Sequence, residues 1–236
     1  PAHPGNPCTR FGGFFHFWRL PTMASTPSGT QMAIAATFQA AKTVSGVSNA
    51  AEAVVSSTAH GYSNGDIVQI YSGWGLLNRS FVKVKSVTAD TFVAEAIDTS
   101  NTDLFPVGGG AGTARKVLTW QSISRYKDQQ NSGGEPKTVT VKWTDLDNEE
   151  SLNDGFTAMT ESFNVDADNV ADAGYLLLRS LTQVQTDTCL RKVLKSGSKI
   201  YTPCRVALNE NPKDSGGVYV CAVSINGNGR LTRYAS

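Results

Sequence analysis

The chain holds three imidazoles, His3, His16 and His60, and a nucleophilic triad needs such a base within reach. His60 stands in AHGYSNGD, a run of turn formers, and no serine occupies a G-x-S-x-G elbow. A hydrolase reading therefore rests on residue availability alone. Cys8, Cys189, Cys204 and Cys221 lack C-x-x-C spacing and have no neighbouring histidine, which argues against a zinc site or a redox pair. Their number alone allows a disulfide, but Cys204 and Cys221 sit in apolar strand-like runs, where a free thiol behaves as a small buried hydrophobe.

Two acidic stretches could attract a cation. Asp145, Asp147, Glu149 and Glu150 put a glutamate where a calcium loop requires glycine; Asp166, Asp168 and Asp172 place Ala171 at the glycine position and Leu177 at the terminal glutamate position. Solvated loop charge and helix-start charge account for both better. Gly108 to Gly112 superficially matches a phosphate-cradling loop but lacks the G-K-[ST] ending, so a linker is the better reading. No carboxylate pair stands out for glycosidic chemistry, and the Asn78-Arg79-Ser80 sequon has no meaning without a secretory route.

With no chemistry legible, the elements themselves become the subject. The 21 basic and 20 acidic residues are interspersed, so no chain-wide affinity for nucleic acid or anionic membrane follows, and no apolar run approaches the about eighteen residues of a spanning helix. The opening PAHPGNPCTRFGGFFHFWRLPT is aromatic-rich and acid-free, interrupted by Arg19, His16 and glycines in a way a secretory signal is not. Residues 1–22 are expected to be a disordered upstream or non-native extension, with Met23 as the translation start. Counted from Met23 there are 19 basic and 20 acidic residues, a net −1, and His60 is the sole histidine.

The rest predicts a mainly β chain. Residues 23–45 read as an N-terminal arm leading into a strand. Residues 46–114 hold short strand runs, VVSST, DIVQIY, FVKVKSV and TFVAEAI, between turn signals, which suggests a small barrel. Alternation in FVKVKSV places Val82 and Val84 on one face and Lys83 and Lys85 on the other. The glycine-rich DLFPVGGGAGTARK reads as a flexible connection and domain boundary. In residues 115–236, KDQQNSGGEP reads as a polar loop and KTVTVKW as a strong strand carrying Val139, Val141 and Trp143 on one face. A helix is predicted from Asp172 to Gln185, with Leu177, Leu181 and Val184 at helical spacing and Asp168 or Asn169 as cap. Hairpins are predicted at Ser196-Gly197 and at Asn226-Gly227-Asn228-Gly229.

The stretch AHGYSNGDIVQIYSGWGLLNRSFVKVKSVTADTFVAEAIDTS resembles a small β module that recurs in phage virion proteins. Together with TPSGTQMAIA, SGGEPKTVTVKW, SLNDGF and LRSLTQVQTDTCLRKVLKSGSKIYTPCRVALNE, the chain from Met23 to Ser236 resembles the tail tube proteins, or major tail proteins, of long-tailed, lambda-like bacteriophages. The resemblance implies a tail-tube-type β sandwich with one packed α-helix, plus the small β-barrel module as an outward-facing insertion. It implies a virion structural protein, assembled in the host cytoplasm, whose hexameric rings stack into a tube that conducts DNA without sequence-specific binding. Its partners would be copies of itself and other tail proteins, with no cofactor, metal, membrane or catalytic residue. Closing sheet edges around a ring would remove the liability of unpaired strands. The loop Lys127, Asp128, Gln129, Gln130, Asn131, Ser132, Gly133, Gly134 and Glu135 is expected to order on assembly, or else to be an ordinary hairpin loop. The alternative function is a tail decoration or host-attachment protein that binds through the small barrel.

Overall fold

The computed structural model describes residues 29–235. The expected extension at residues 1–22 and the start of the arm lie outside the described residues. The expected mainly β fold with one helix is found. One antiparallel sheet of fourteen strands curls around two separate apolar cores, and a two-stranded ribbon stands apart from it.

The first core fills a small barrel. Its strands are β2 (Lys42–Val44), β3 (Gly46–Val47), β4 (Val54–Ser56), β5 (Ile67–Ser72), β6 (Ser80–Lys85), β7 (Thr91–Ala94) and the first half of β8 (Gly112–Ile123). β2 pairs with β8 while β3, one residue later, pairs with β4; the pairings β4–β7, β7–β6, β6–β5 and β5–β8 then close the circle. Alternation in β6 puts Val82 and Val84 inside among Val55, Val68, Ile70, Phe92 and Trp74. Lys83 and Lys85 face outward to Glu95 and Glu52.

The second core belongs to the body. It is enclosed by the second half of β8, β1 (Gln31–Phe38), β13 (Thr188–Val193), β14 (Lys199–Asp214), β15 (Tyr219–Gly227), β12 (Thr160–Asp166) and β9 (Tyr126–Ser132), in that sheet order. Met32 to Ala35 are all buried because β1 lies between two packed layers, which is why this run is apolar without alternation. β8 and β9 are separated only by Ser124 and Arg125, yet stand at opposite ends of the body's run of strands, so this bend closes the curl.

The glycine-rich run does not form a flexible connection. β8 passes through it from barrel to body, and a Cβ on Gly112 would lie 2.0 Å from the Tyr71 carbonyl oxygen, so only glycine lets β5 approach. Gly109 and Gly110 pack against the Trp74 indole, whose Nε1 donates to the Pro106 carbonyl at 2.8 Å. Between barrel and body lies a third cluster of Ala35, Ile67, Phe81, Val117, Cys189, Tyr201 and Tyr234. Beside it Asp187 accepts from Arg205 Nε at 2.7 Å and Asn228 Nδ2 at 2.8 Å, while Arg79 of the barrel reaches it at 3.5 Å. The barrel is thus mounted on the body, not tethered to it.

The helix α1 (Ala173–Val184) covers the body core through Tyr175 and Leu178, with Leu177 and Leu181 at its margin; Val184, expected on the apolar face, is exposed. Its cap is Asp172, not Asp168 or Asn169, because the turn that bonds Asp172 N–H to the Asn169 carbonyl starts the helix later. Asp172 Oδ2 accepts from Gly174 N–H at 2.9 Å and Tyr175 N–H at 3.4 Å. Asp172→Ala is expected to cost about 1 kcal/mol, read as a lowered urea midpoint.

The Ser196-Gly197 turn joins β13 and β14 as predicted, with Gly197 at φ +86°. The Asn226 to Gly229 segment is not a hairpin. β16 (Thr232–Tyr234) continues along the edge of β14 that β15 occupies, so the two are one interrupted strand. The interruption faces Pro203, which has no N–H to donate; Asn228 N–H bonds the Pro203 carbonyl at 3.1 Å and Gly229 packs on its ring.

Candidate assembly surface

The residues that might have done chemistry are structural. His60 is buried, its Nδ1 accepts from Tyr62 N–H at 3.0 Å, and the proton therefore sits on Nε2, which donates to the Thr91 carbonyl at 3.3 Å. Rings of Tyr62 and Phe92 enclose it at 4.7 and 5.4 Å. Asp166 pairs with Arg125 at 3.0 Å and accepts from Asp168 N–H, an arrangement that holds its carboxyl below the usual range. No metal-binding group of acids, cysteines and histidines exists among the described residues, and no helix there is long and apolar enough to cross a membrane.

Cys189, Cys204 and Cys221 are buried free thiols. Burial pushes the Cys204 thiol up to about 12, and the Tyr62 and Tyr201 hydroxyls also to about 12. In the unfolded chain these groups lose their protons nearer 9 and 10. Their stabilisation is therefore complete below pH 9 and is lost as pH climbs toward 12. Urea midpoints are expected to fall steadily across that window, and more shallowly in a Cys204→Ala variant.

The expected loop Lys127 to Glu135 is largely a strand. Lys127, Asp128, Gln129, Gln130, Asn131 and Ser132 belong to β9, held by β12 on one side. Its polar composition misleads because this strand is at the sheet edge, where side chains face water on both faces. Lys127 Nζ donates to the Ser215 carbonyl, and Gln129 Nε2 donates to Glu161 Oε1 at 2.5 Å. Asp128, at φ +56°, forms a bulge whose carboxylate accepts from Asn164 and Ser215, both at 2.9 Å; those bonds hold its pKa down. Gly133 and Gly134, both at positive φ, turn the chain out of the sheet. Glu135 and Thr157 then exchange hydrogen bonds where the chain leaves and re-enters it.

Between those two residues the chain forms a ribbon of β10 (Pro136–Val141) and β11 (Glu150–Phe156). The alternation that makes KTVTVKW a strand is real, but it pairs only with β11, outside the main sheet. Val139, Trp143 and Leu152 are 43%, 51% and 49% exposed, Phe156 is 75% exposed, and none belongs to a buried cluster. Trp143 Nε1 donates to Glu150 Oε2 at 3.2 Å and Lys137 pairs with Asp154 at 2.7 Å. Sequence reasoning placed Val139, Val141 and Trp143 on one face of a strong strand but did not foresee that the strand stands outside the main sheet. The signal that could have separated the ribbon was SLNDGF, a partner strand too polar for a buried sheet.

A two-stranded ribbon is marginal alone in water, and its apolar face here has no covering layer among the described residues. Beside it the outer edge of β9 has no strand partner among the described residues. An edge and an unfinished hairpin side by side can do nothing chemically, but they can be completed by another chain.

Comparison with known families agrees. A family described as phage tail tube protein, TTP, matches residues 72–236, from the last residue of β5 onward. No curated protein matches the chain. The chain belongs to the phage tail tube protein family, and is a structural protein of the virion tail that assembles with itself and with other tail proteins.

Proposed function

We propose that the chain is the repeating subunit of a tail tube of the long-tailed, lambda-like type, forming hexameric rings that stack into a conduit for DNA ejection after assembly in the host cytoplasm. The observation that carries this reading is the exposed β10–β11 ribbon beside the β9 edge, a surface uncovered among the described residues that another copy would complete. Residues Lys127 to Glu135 are assembly residues in this reading, because they form that edge and aim the ribbon. The small barrel points outward from the tube wall, since a unit with its own packed core would obstruct a lumen.

Near-zero net charge suits a passage that must not grip DNA, because phosphate contacts by Lys and Arg accumulate into tight binding. Mass photometry of the purified protein across concentration tests the reading. Species at six subunit masses and at multiples of six support it. A monomer at all concentrations that instead retains glycans on an array would favour the host-attachment alternative.

A further inference from the structure

Two patches of unpaired charge stand out, of opposite sign, although the exposed Lys142 beside the first is also in no ion pair among the described residues. The tip of the β10–β11 ribbon carries Asp145, Asp147, Glu149 and Glu150, exposed and in no ion pair among the described residues. Elsewhere Lys195, Lys199, Arg230 and Arg233 are likewise in no ion pair there, and all four are exposed. These cations gather around the β13–β14 turn and β16, where Lys199 pairs in register with Tyr234 and Ile200 with Arg233.

Two of these cations, Arg230 and Arg233, also line a groove of about 290 Å³ between barrel and body, together with Leu76, Leu77, Phe105 and Leu231. Leu76 and Leu231 are 42% and 38% exposed. Two acids also line it; Glu95 is neutralised by Lys83 at 2.9 Å, leaving Asp98 as the one unpaired carboxylate of the lining.

Register places donor and acceptor at one end of the body. The ribbon leaves the sheet where Ser132 pairs with Thr160, Thr160 with Asn226, and Asn226 with Arg205. From that level β14 runs back toward Lys199, so the β13–β14 turn, β16 and the ribbon all lie toward the same end. Two copies side by side, with parallel axes, can therefore bring the tip of one to the groove of the next.

We propose that the acidic tip of the ribbon docks in this groove on the adjacent copy, with Trp143 and Leu146 against Leu76 and Leu231, and Asp145 and Asp147 facing Arg230, Arg233 and Lys199. The contact is heterologous, so each copy gives a tip and receives one, and repetition closes a ring. A chain of nearly zero net charge with opposite unpaired patches gains orientation from this pairing as well as attraction. The inference rests on the proposed tube reading and names the lateral contact within it.

Charge exchange tests it in the full chain. Asp145→Lys with Asp147→Lys, and separately Arg230→Glu with Arg233→Glu, are each expected to raise the protein concentration needed for rings by about tenfold or more. Combining all four should restore assembly, with circular dichroism confirming that every variant is folded. On the unmodified protein, a zero-length carbodiimide cross-link should join Asp145 or Asp147 to Lys195 or Lys199 of another copy. Wild-type rings with both reversals unaffected, or reversals that combine without rescue, overturn this contact and leave the tube reading standing. A wild-type chain that forms no oligomer overturns both.

Discussion

A chain in which residues 137–155 are replaced by an Asn-Gly turn is expected to fold normally and to form no ring or tube. The replacement keeps the Glu135–Thr157 bonds and the Pro136–Phe156 pair at the ribbon's base. It removes Val139, Trp143 and Leu152, none of which contributes to a buried cluster. Stability should therefore change by no more than about 1 kcal/mol, since surface changes are small and a shorter excursion costs less to close. Assembly loses far more, because each apolar side chain fully covered by a neighbour is worth roughly 1.5–3 kcal/mol. Circular dichroism and mass photometry separate the two effects. Tubes that persist without the ribbon would remove it from the assembly surface. A cut at Gln129 to Gly134 is a poorer experiment, because it deletes half of β9 and the Gln129–Glu161 bond along with the proposed contact.

Lys192→Met is expected to be the most destabilising single charge removal in the body. Lys192 Nζ meets Glu161 Oε2 at 2.6 Å, with side chains only 11% and 4% exposed. Its loss leaves a buried carboxylate with Gln129 as its sole remaining side-chain donor, a situation that costs about 3–5 kcal/mol. A paired Glu161→Leu, Lys192→Met chain should recover most of that loss, because the desolvation of both ions disappears together. Urea unfolding of the three variants forms a double-mutant cycle. A single variant within about 1 kcal/mol of the parent would mean that water reaches the pair.

How much of this was legible in the sequence depended on whether a segment's burial came from its own neighbours. Val82 and Val84 read correctly because β6 is half buried in the barrel it helps to form. The helix read correctly along its length but not at its cap, since Asp168, Asn169 and Asp172 are all competent acceptors and only the preceding turn selects among them. Asn226-Gly227 carried the strongest hairpin signal in the chain, and failed because Pro203, more than twenty residues earlier, required an irregular partner there. Local turn chemistry could not report that constraint.

The assembly surface was half legible for a related reason. Lys127 to Ser132 looks like a loop because a sheet edge facing water needs no apolar face. KTVTVKW reads as a strong strand because it is patterned to be covered, although nothing among the described residues covers it. In the proposed tube one component, the neighbouring copy, accounts for both errors.

Cryo-electron microscopy of the purified protein at assembling concentration tests the central claim most directly. The tube reading predicts six-fold rings or stacked tubes with an open lumen, the small barrels outside, and each β10–β11 ribbon packed against another subunit. Density in which the protein is monomeric, or assembles with the ribbons free in solvent, would contradict it.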